Sequence, residues 1–235
     1  MRYDKWAAAI FTLQRGTVMK SIVCYGDSNT WGYNAADGNR FPFDVRWTGR
    51  LAAALPEARI IEEGLNGRTT ALDDEDEADR NGLARLAMIL KTHDPVDVLV
   101  LALGVNDTKT KFQRSADEIA SSLGKCIELA QHPDRWSREH APAILVVAPP
   151  PVTEDCFGSP MSDEFGAHSV RVAGELASAY QKIAESCHCA FLDAGISIRP
   201  GALDGVHLDA EGHRNMAELL LPVLQDLNRK APVMT

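Results

Sequence analysis

Ser28 and His207 are two side chains whose chemistry depends on their meeting. Ser28 stands in Gly26-Asp27-Ser28-Asn29, directly after the apolar run Ser21–Tyr25. The exit of a buried strand can raise a hydroxyl above a sheet edge, within reach of a substrate. A serine hydroxyl is a weak nucleophile until a neighbouring base takes its proton. Near the far end of the chain, Asp204-Gly205-Val206-His207 offers such a base, with a carboxylate three residues before it. A neutral imidazole can accept the hydroxyl proton during attack and hand it to a leaving alcohol. Asp204 would hold the other ring nitrogen and fix the tautomer. By itself the Asp–His pair reads better as a turn ahead of the helix that begins near Ala210. Two further polar blocks between them, Gly64-Leu65-Asn66-Gly67-Arg68-Thr69-Thr70 and Gly104-Val105-Asn106-Asp107, favour the chemical reading.

The surrounding pattern explains how such distant blocks could converge. Strand-like runs occur at Ser21–Tyr25, Arg59–Glu62, Asp97–Leu103, Ile144–Ala148 and Ala190–Asp193. They alternate with segments whose apolar residues recur every three to four positions, as in Ile119, Leu123, Cys126, Ile127 and Ala130, or Val172, Leu176, Ala179, Tyr180 and Ile183. Val98-Leu99-Val100-Leu101-Ala102-Leu103 is apolar on both faces, as a covered parallel strand requires. Alternating strands and helices predict an α/β fold with a parallel five-stranded sheet and right-handed crossovers. Ligands of such sheets gather at the carboxyl ends of the strands. Ser28, Gly67 and Asn106 follow the first three strands, and Asp204 and His207 lie beyond the fifth. The long irregular stretch from Ala148 to Ala167, opened by three prolines, reads as a binding loop. Its Phe157, Met161 and Phe165 are candidates for an apolar pocket wall. Trp31, Tyr33, Phe41 and Phe43, in the irregular run after the serine, are further candidates.

Composition narrows the possibilities. A chain of 235 residues with 45% apolar and 24% charged residues is ordinary for a soluble domain. Residues 19–235 are expected to form a single domain, with residues 1–18 an N-terminal extension. The net charge of −9 argues against nucleic acid as a partner. The six acids between Asp73 and Asp79 read as a solvated loop that would disfavour anionic substrates if it overhung the site. Five cysteines without a framework spacing suit a reducing compartment. Cys187-His188-Cys189 lacks the second ligand pair of a zinc site and reads as a helix end entering a strand. Trp6–Leu13 makes a poor secretory signal, because Asp4 interrupts the basic region of Arg2 and Lys5 before it and Gln14-Arg15 follows. No apolar run is long enough to span a bilayer. The expected location is the cytoplasm, with no membrane partner.

In order and wording the four blocks resemble the SGNH hydrolases, also called GDSL esterases and lipases. The resemblance implies a three-layer α/β/α, flavodoxin-like sandwich and a serine esterase that needs no cofactor or metal. It implies an oxyanion hole made of the Ser28 N–H, the Gly67 N–H and the Asn106 amide. Glycine suits position 67 because backbone must approach the substrate closely. The wording of Gly26–Tyr33, Asp44–Thr48, Glu62–Thr70 and Gly104–Lys109 is similar to the bacterial arylesterase, acyltransferase and perhydrolase branch. That branch implies short acyl esters of small molecules, including aryl esters and acetylated sugars. It also implies transfer to alcohols or peroxide as a side activity, and a homo-oligomer as large as an octamer. Asn29 and Asn66 replace a leucine and a serine found in an acyltransferase of that branch, which makes the expected pocket more polar. Asn29, Trp31, Asn66, Phe157, Phe165 and Val206 are the expected substrate contacts. Asp27 is expected to tie the turn around Ser28, and Asp107 to cap the segment after it.

Two other classes remain open from sequence. A metal-dependent phosphoesterase would recruit Asp27, Asp107 and His207 as ligands, but the first two blocks contribute no histidine. A non-catalytic carbohydrate- or lipid-binding domain could keep the fold, yet here every element of the hydrolytic set is present. Neither a Gly-x-Ser-x-Gly elbow nor a phosphate-binding glycine loop occurs.

Overall fold

A computed structural model describes residues 19–230, apart from 133, 135 and 138–140. The N-terminal extension expected over residues 1–18 lies outside the described residues. Five strands, β1 (Lys20–Gly26), β2 (Ala58–Gly64), β3 (Val98–Ala102), β4 (Ala143–Ala148) and β5 (Ala190–Asp193), form one parallel sheet in the order β2-β1-β3-β4-β5. One-turn α1 (Ser28–Trp31) follows β1. The longer helices are α2 (Trp47–Ala54), α3 (Gly82–Thr92), α4 (Ala116–Gln131), α5 (Ala167–Ser186) and α6 (Ala210–Lys230).

Successive strand residues point to opposite faces, so each buried strand serves two cores. From β1, Val23 and Tyr25 join a cluster with α3, α4 and α5, while Ile22 and Cys24 join α2 and α6. Leu99 and Leu101 of β3 go with the first set, Val98 and Val100 with the second. This is the expected three-layer sandwich, and the expected strands are each recovered to within two residues at either end.

Local chemistry ends and starts the helices where the stripes predict. Ser115 and Glu118 form a reciprocal capping box at α4. Asn81 caps α3 through its side-chain oxygen and the Ala84 N–H at 3.1 Å. At the end of α5, His188 adopts φ 54° and the Cys189 N–H closes on the Ala184 carbonyl at 2.8 Å. The Cys187-His188-Cys189 segment is thus a helix end entering β5, and all five cysteines are free thiols.

His213 of α6 is fully buried, its ring nearly perpendicular to that of Phe41 with centroids 5.3 Å apart. Its Nδ1 accepts from the Trp47 N–H at 3.4 Å, and its Nε2 has no partner among the described residues. Burial pushes its pKa down to about 4. The unfolded chain therefore takes up a proton between pH 6.5 and 4 that the fold refuses, and stability falls with pH across that window. At pH 5 the loss is about 2 kcal/mol relative to neutrality. We expect urea unfolding at pH 7.5 and pH 5 to show this loss, and the His213→Phe variant to show a smaller pH dependence.

Candidate active site

Ser28 leaves the sheet through a turn too tight for any side chain at position 26. A Cβ on Gly26 would fall 2.0 Å from Thr30 Oγ1 and 2.8 Å from the Ala102 carbonyl. Asp27 then caps α1, its Oδ1 accepting the Asn29 N–H at 2.9 Å, which is the turn-tying role expected of it. Burial raises the Asp27 carboxyl to about 6 against that hydrogen bond. Ser28 is the first residue of the helical turn.

Asp204 and His207 arrive on a loop shaped by Gly205, whose φ of 68° suits a residue without a Cβ. Asp204 Oδ1 accepts the backbone N–H groups of Val206 and His207, both at 2.9 Å. Its Oδ2 lies 2.6 Å from His207 Nδ1, and His207 Nε2 lies 2.9 Å from Ser28 Oγ. With Nδ1 donating to the carboxylate, Nε2 is the atom that can accept the serine proton. Burial opposes the Asp204 charge, but the His207 ring and the two backbone donors outweigh it and hold the carboxyl below its usual value. The Tyr33 ring lies 4.4 Å from the imidazole, centroid to centroid.

The two middle blocks meet this pair from the neighbouring strand ends. Gly67 adopts φ 75° in the turn after β2. Asn106 is buried at the start of a 3-10 turn, Asn106–Thr108, after β3. One N–H of its amide goes to the Arg68 carbonyl at 3.1 Å, which fixes the plane of the group. Asp107 does not act as a helix cap. Its carboxylate accepts from the Thr70 N–H at 2.8 Å, the Thr70 hydroxyl at 2.6 Å and Arg114 at 2.5 Å. Those bonds bolt the Gly67 loop to the Asn106 loop. Burial pushes the Asp107 carboxyl up to about 6 despite them.

A cavity of about 300 Å³ opens over these groups, lined by Ser28, His207, Asn66, Gly67 and Asn106. Tyr33, Met161 and Phe165 give it an apolar portion, and Glu77, Arg80, Lys109 and Glu164 a charged one. Four expected contacts are not among its lining residues. Phe157 points outward, 48% exposed, because the 3-10 turn Glu154–Gly158 directs Cys156 inward instead. Trp31 packs under the Arg40 guanidinium at 5.2 Å. Val206 is buried beside Phe165 in the cluster behind the cavity. Asn29 spends its amide on the histidine loop, Nδ2 to the Val206 carbonyl at 3.3 Å and Oδ1 from the Leu208 N–H at 2.8 Å. The acid run is only partly solvated, since Asp74 is buried against Lys111 and Glu77 reaches the cavity. A larger open groove of about 920 Å³ between α4 and α5 shares no lining residue with the cavity.

Sequence reasoning missed Glu77, Arg80, Lys109 and Glu164 as cavity residues. The signal available was the Glu77–Arg80 spacing at the end of the acid run, one helical turn apart. The Asp27 and Asp107 carboxylates that a metal site would use are each held by donors of the fold. Among the described residues, no three His, Cys, Asp or Glu side chains gather as a metal-holding group.

Comparison with known proteins identifies the family of this chain. The GDSL-like lipase/acylhydrolase family model matches residues 24–214. The chain belongs to that family. Among solved structures, Est24, a carbohydrate acetylesterase from Sinorhizobium meliloti, is 36% identical, with a TM-score of 0.83 over 88% of this chain and 99% of that one. A carbohydrate acetylesterase family member from the same organism is 39% identical, with a TM-score of 0.83 over 89% and 99%. The native aryl esterase of M. smegmatis is 35% identical, with a TM-score of 0.83 over 88% and 99%. Among curated proteins no match is found. The family and these neighbours make the chain a carboxylic ester hydrolase with the SGNH fold.

The position of Asn29 makes it a tether for the His207 loop rather than a substrate contact. Asn29→Ala should lower kcat for phenyl acetate about tenfold while KM changes less than twofold, because the loop it holds sets the spacing of His207 from Ser28. Steady-state kinetics of that variant decide the point.

Proposed function

We propose that this protein hydrolyses short-chain acyl esters of small molecules through an acyl-serine intermediate. The observation that carries the reading is the buried relay Asp204–His207–Ser28, with spacings of 2.6 and 2.9 Å. In this reading His207 takes the Ser28 proton as Oγ attacks the ester carbonyl, then returns it to the departing alcohol. Water then attacks the acyl carbonyl and gives its proton to His207, which passes that proton to Ser28 Oγ as the acid leaves. Asp204 holds the imidazolium that forms in each half. The oxyanion is received by the N–H groups of Ser28 and Gly67 and by the second N–H of the Asn106 amide.

The cavity volume of about 300 Å³ supports an acyl group of acetyl to butyryl size. The neighbours named as acetylesterase and aryl esterase support the same class. For the partition between water and alcohol, Asn66 is the residue of interest. It lines the cavity with a buried Oδ1 that has no partner among the described residues. An acceptor there can orient water towards the acyl group, which supports hydrolysis over transfer. Asn29, turned to the histidine loop, has no part in that choice. We further read residues 19–235 as one domain in a cytoplasmic homo-oligomer. The free thiols support the compartment, and the exposed Phe157, Ile196 and Leu203 support contact between copies. No helix among the described residues is long and apolar enough to cross a membrane.

Ser28→Ala should abolish hydrolysis of p-nitrophenyl acetate with the fold intact by circular dichroism, and retained activity would refute the mechanism. Asn106→Ala should cut kcat by about a hundredfold with KM nearly unchanged, since its donor acts on the transition state. A p-nitrophenyl ester series from C2 to C12 should show kcat/KM falling beyond C4.

A further inference from the structure

Two ion pairs stand at the cavity over Ser28, and the ester-cleaving chemistry uses neither. Glu77 and Arg80 pair at 2.6 Å, and Lys109 pairs with Glu164. All four side chains line the cavity. The first pair sits against the Gly67 turn, so that a Cβ placed on that glycine would meet Arg80 Nε at 3.0 Å and Glu77 Oε2 at 3.1 Å. The backbone fixes it there, because the Arg80 carbonyl accepts the Thr69 N–H at 2.9 Å. The second pair is anchored in the same manner on the other middle block. The Lys109 N–H bonds the Asn106 carbonyl at 3.2 Å, and the Thr110 N–H bonds the Glu164 carbonyl at 2.8 Å.

The cations lie deeper than their partners: the Lys109 side chain is 7% exposed against 45% for Glu164, and Arg80 22% against 49% for Glu77. Each cation already has its own carboxylate, so neither pair leaves a net charge to attract an anion. What each pair presents is a strong donor beside a strong acceptor. A hydroxyl both donates and accepts, and two adjacent hydroxyls can engage such a fork at both ends. An aryl leaving group displaces water from these charged pairs without replacing its hydrogen bonds, which is costly.

We propose that the Glu77–Arg80 and Lys109–Glu164 pairs form a subsite for a neutral, polyhydroxylated alcohol portion of the ester. The preferred substrates are then acylated saccharides rather than aryl esters. This inference rests on the esterase reading above and adds the identity of the alcohol.

The test compares an acetylated monosaccharide with phenyl acetate on the whole protein and on the Glu77→Ala/Arg80→Ala double variant. Both side chains are partly solvent-exposed, so folding should survive their loss, and thermal unfolding checks it. The quantity read is the saccharide-to-aryl ratio of kcat/KM, in which any general loss of activity cancels. The inference expects this ratio to fall at least about tenfold in the variant, mainly through a higher saccharide KM. An unchanged or increased ratio overturns it. So does a protein that cleaves phenyl acetate but not the saccharide ester, an outcome that leaves the esterase reading standing. Inactivity of the unaltered protein on both esters would instead bring down the esterase reading itself. An acetylated uronic acid, run in parallel, should be no better than its neutral counterpart, and a clear preference for the acid would overturn the neutral-polyol assignment.

Discussion

Where β1 lies beside β3, the chain has left β1 towards one edge of the sheet and come back to build the other. The connections on either side of that boundary depart in opposite directions and leave a crevice above the strand ends. Ser28 caps one wall of this crevice and Asn106 the other, because each follows its strand within a few residues. The position of the site is therefore a consequence of strand order. The remaining groups are brought in by loops that close over the same gap: the turn after β2 carries Gly67, and the segment after β5 carries Asp204 and His207.

Holding polar groups under such a crevice carries an energetic cost that the hydrogen-bond network must offset. Asp27, Asp107 and Asp204 are all nearly inaccessible to solvent. Each accepts at least one backbone N–H, and two of them also face a cationic or ionisable partner. Removing one partner of a buried pair costs about 3–5 kcal/mol, far more than the pair adds when complete. Rigidity follows from that asymmetry. Once Asp107 has committed to Thr70 and Arg114, the loops on both sides of the crevice have one low-energy arrangement, and the Asn106 amide inherits it.

Much of this was legible in the sequence because it rests on local rules. Apolar runs gave the strands, stripes gave helices such as α4 and α5, and the order of the blocks gave the rim. The substrate contacts were less legible, and the reasons differ by residue. Phe157 was expected inward because it is large and apolar, but in a 3-10 turn its neighbour Cys156 takes the inward direction. Asn29 follows Ser28 in sequence, yet helical geometry aims its amide at the Val206–Leu208 backbone. Glu77 and Arg80 were hidden in an acidic run whose composition says only that it is polar. Their arrival at the cavity depends on the Thr69–Arg80 hydrogen bond, a tertiary contact that no local pattern encodes.

Gly205 couples two segments that composition would treat as separate. Its carbonyl accepts the Thr153 N–H at 2.9 Å, and a Cβ at this position would fall 2.6 Å from the Cys156 nitrogen. Ser159 adds a bond from its hydroxyl to the Asp204 carbonyl at 3.4 Å. The stretch that supplies Met161, Glu164 and Phe165 to the cavity is thereby fastened to the one that carries Asp204 and His207. Grafting that stretch alone from a relative would pull on the histidine, so a successful transplant must exchange both pieces as one module.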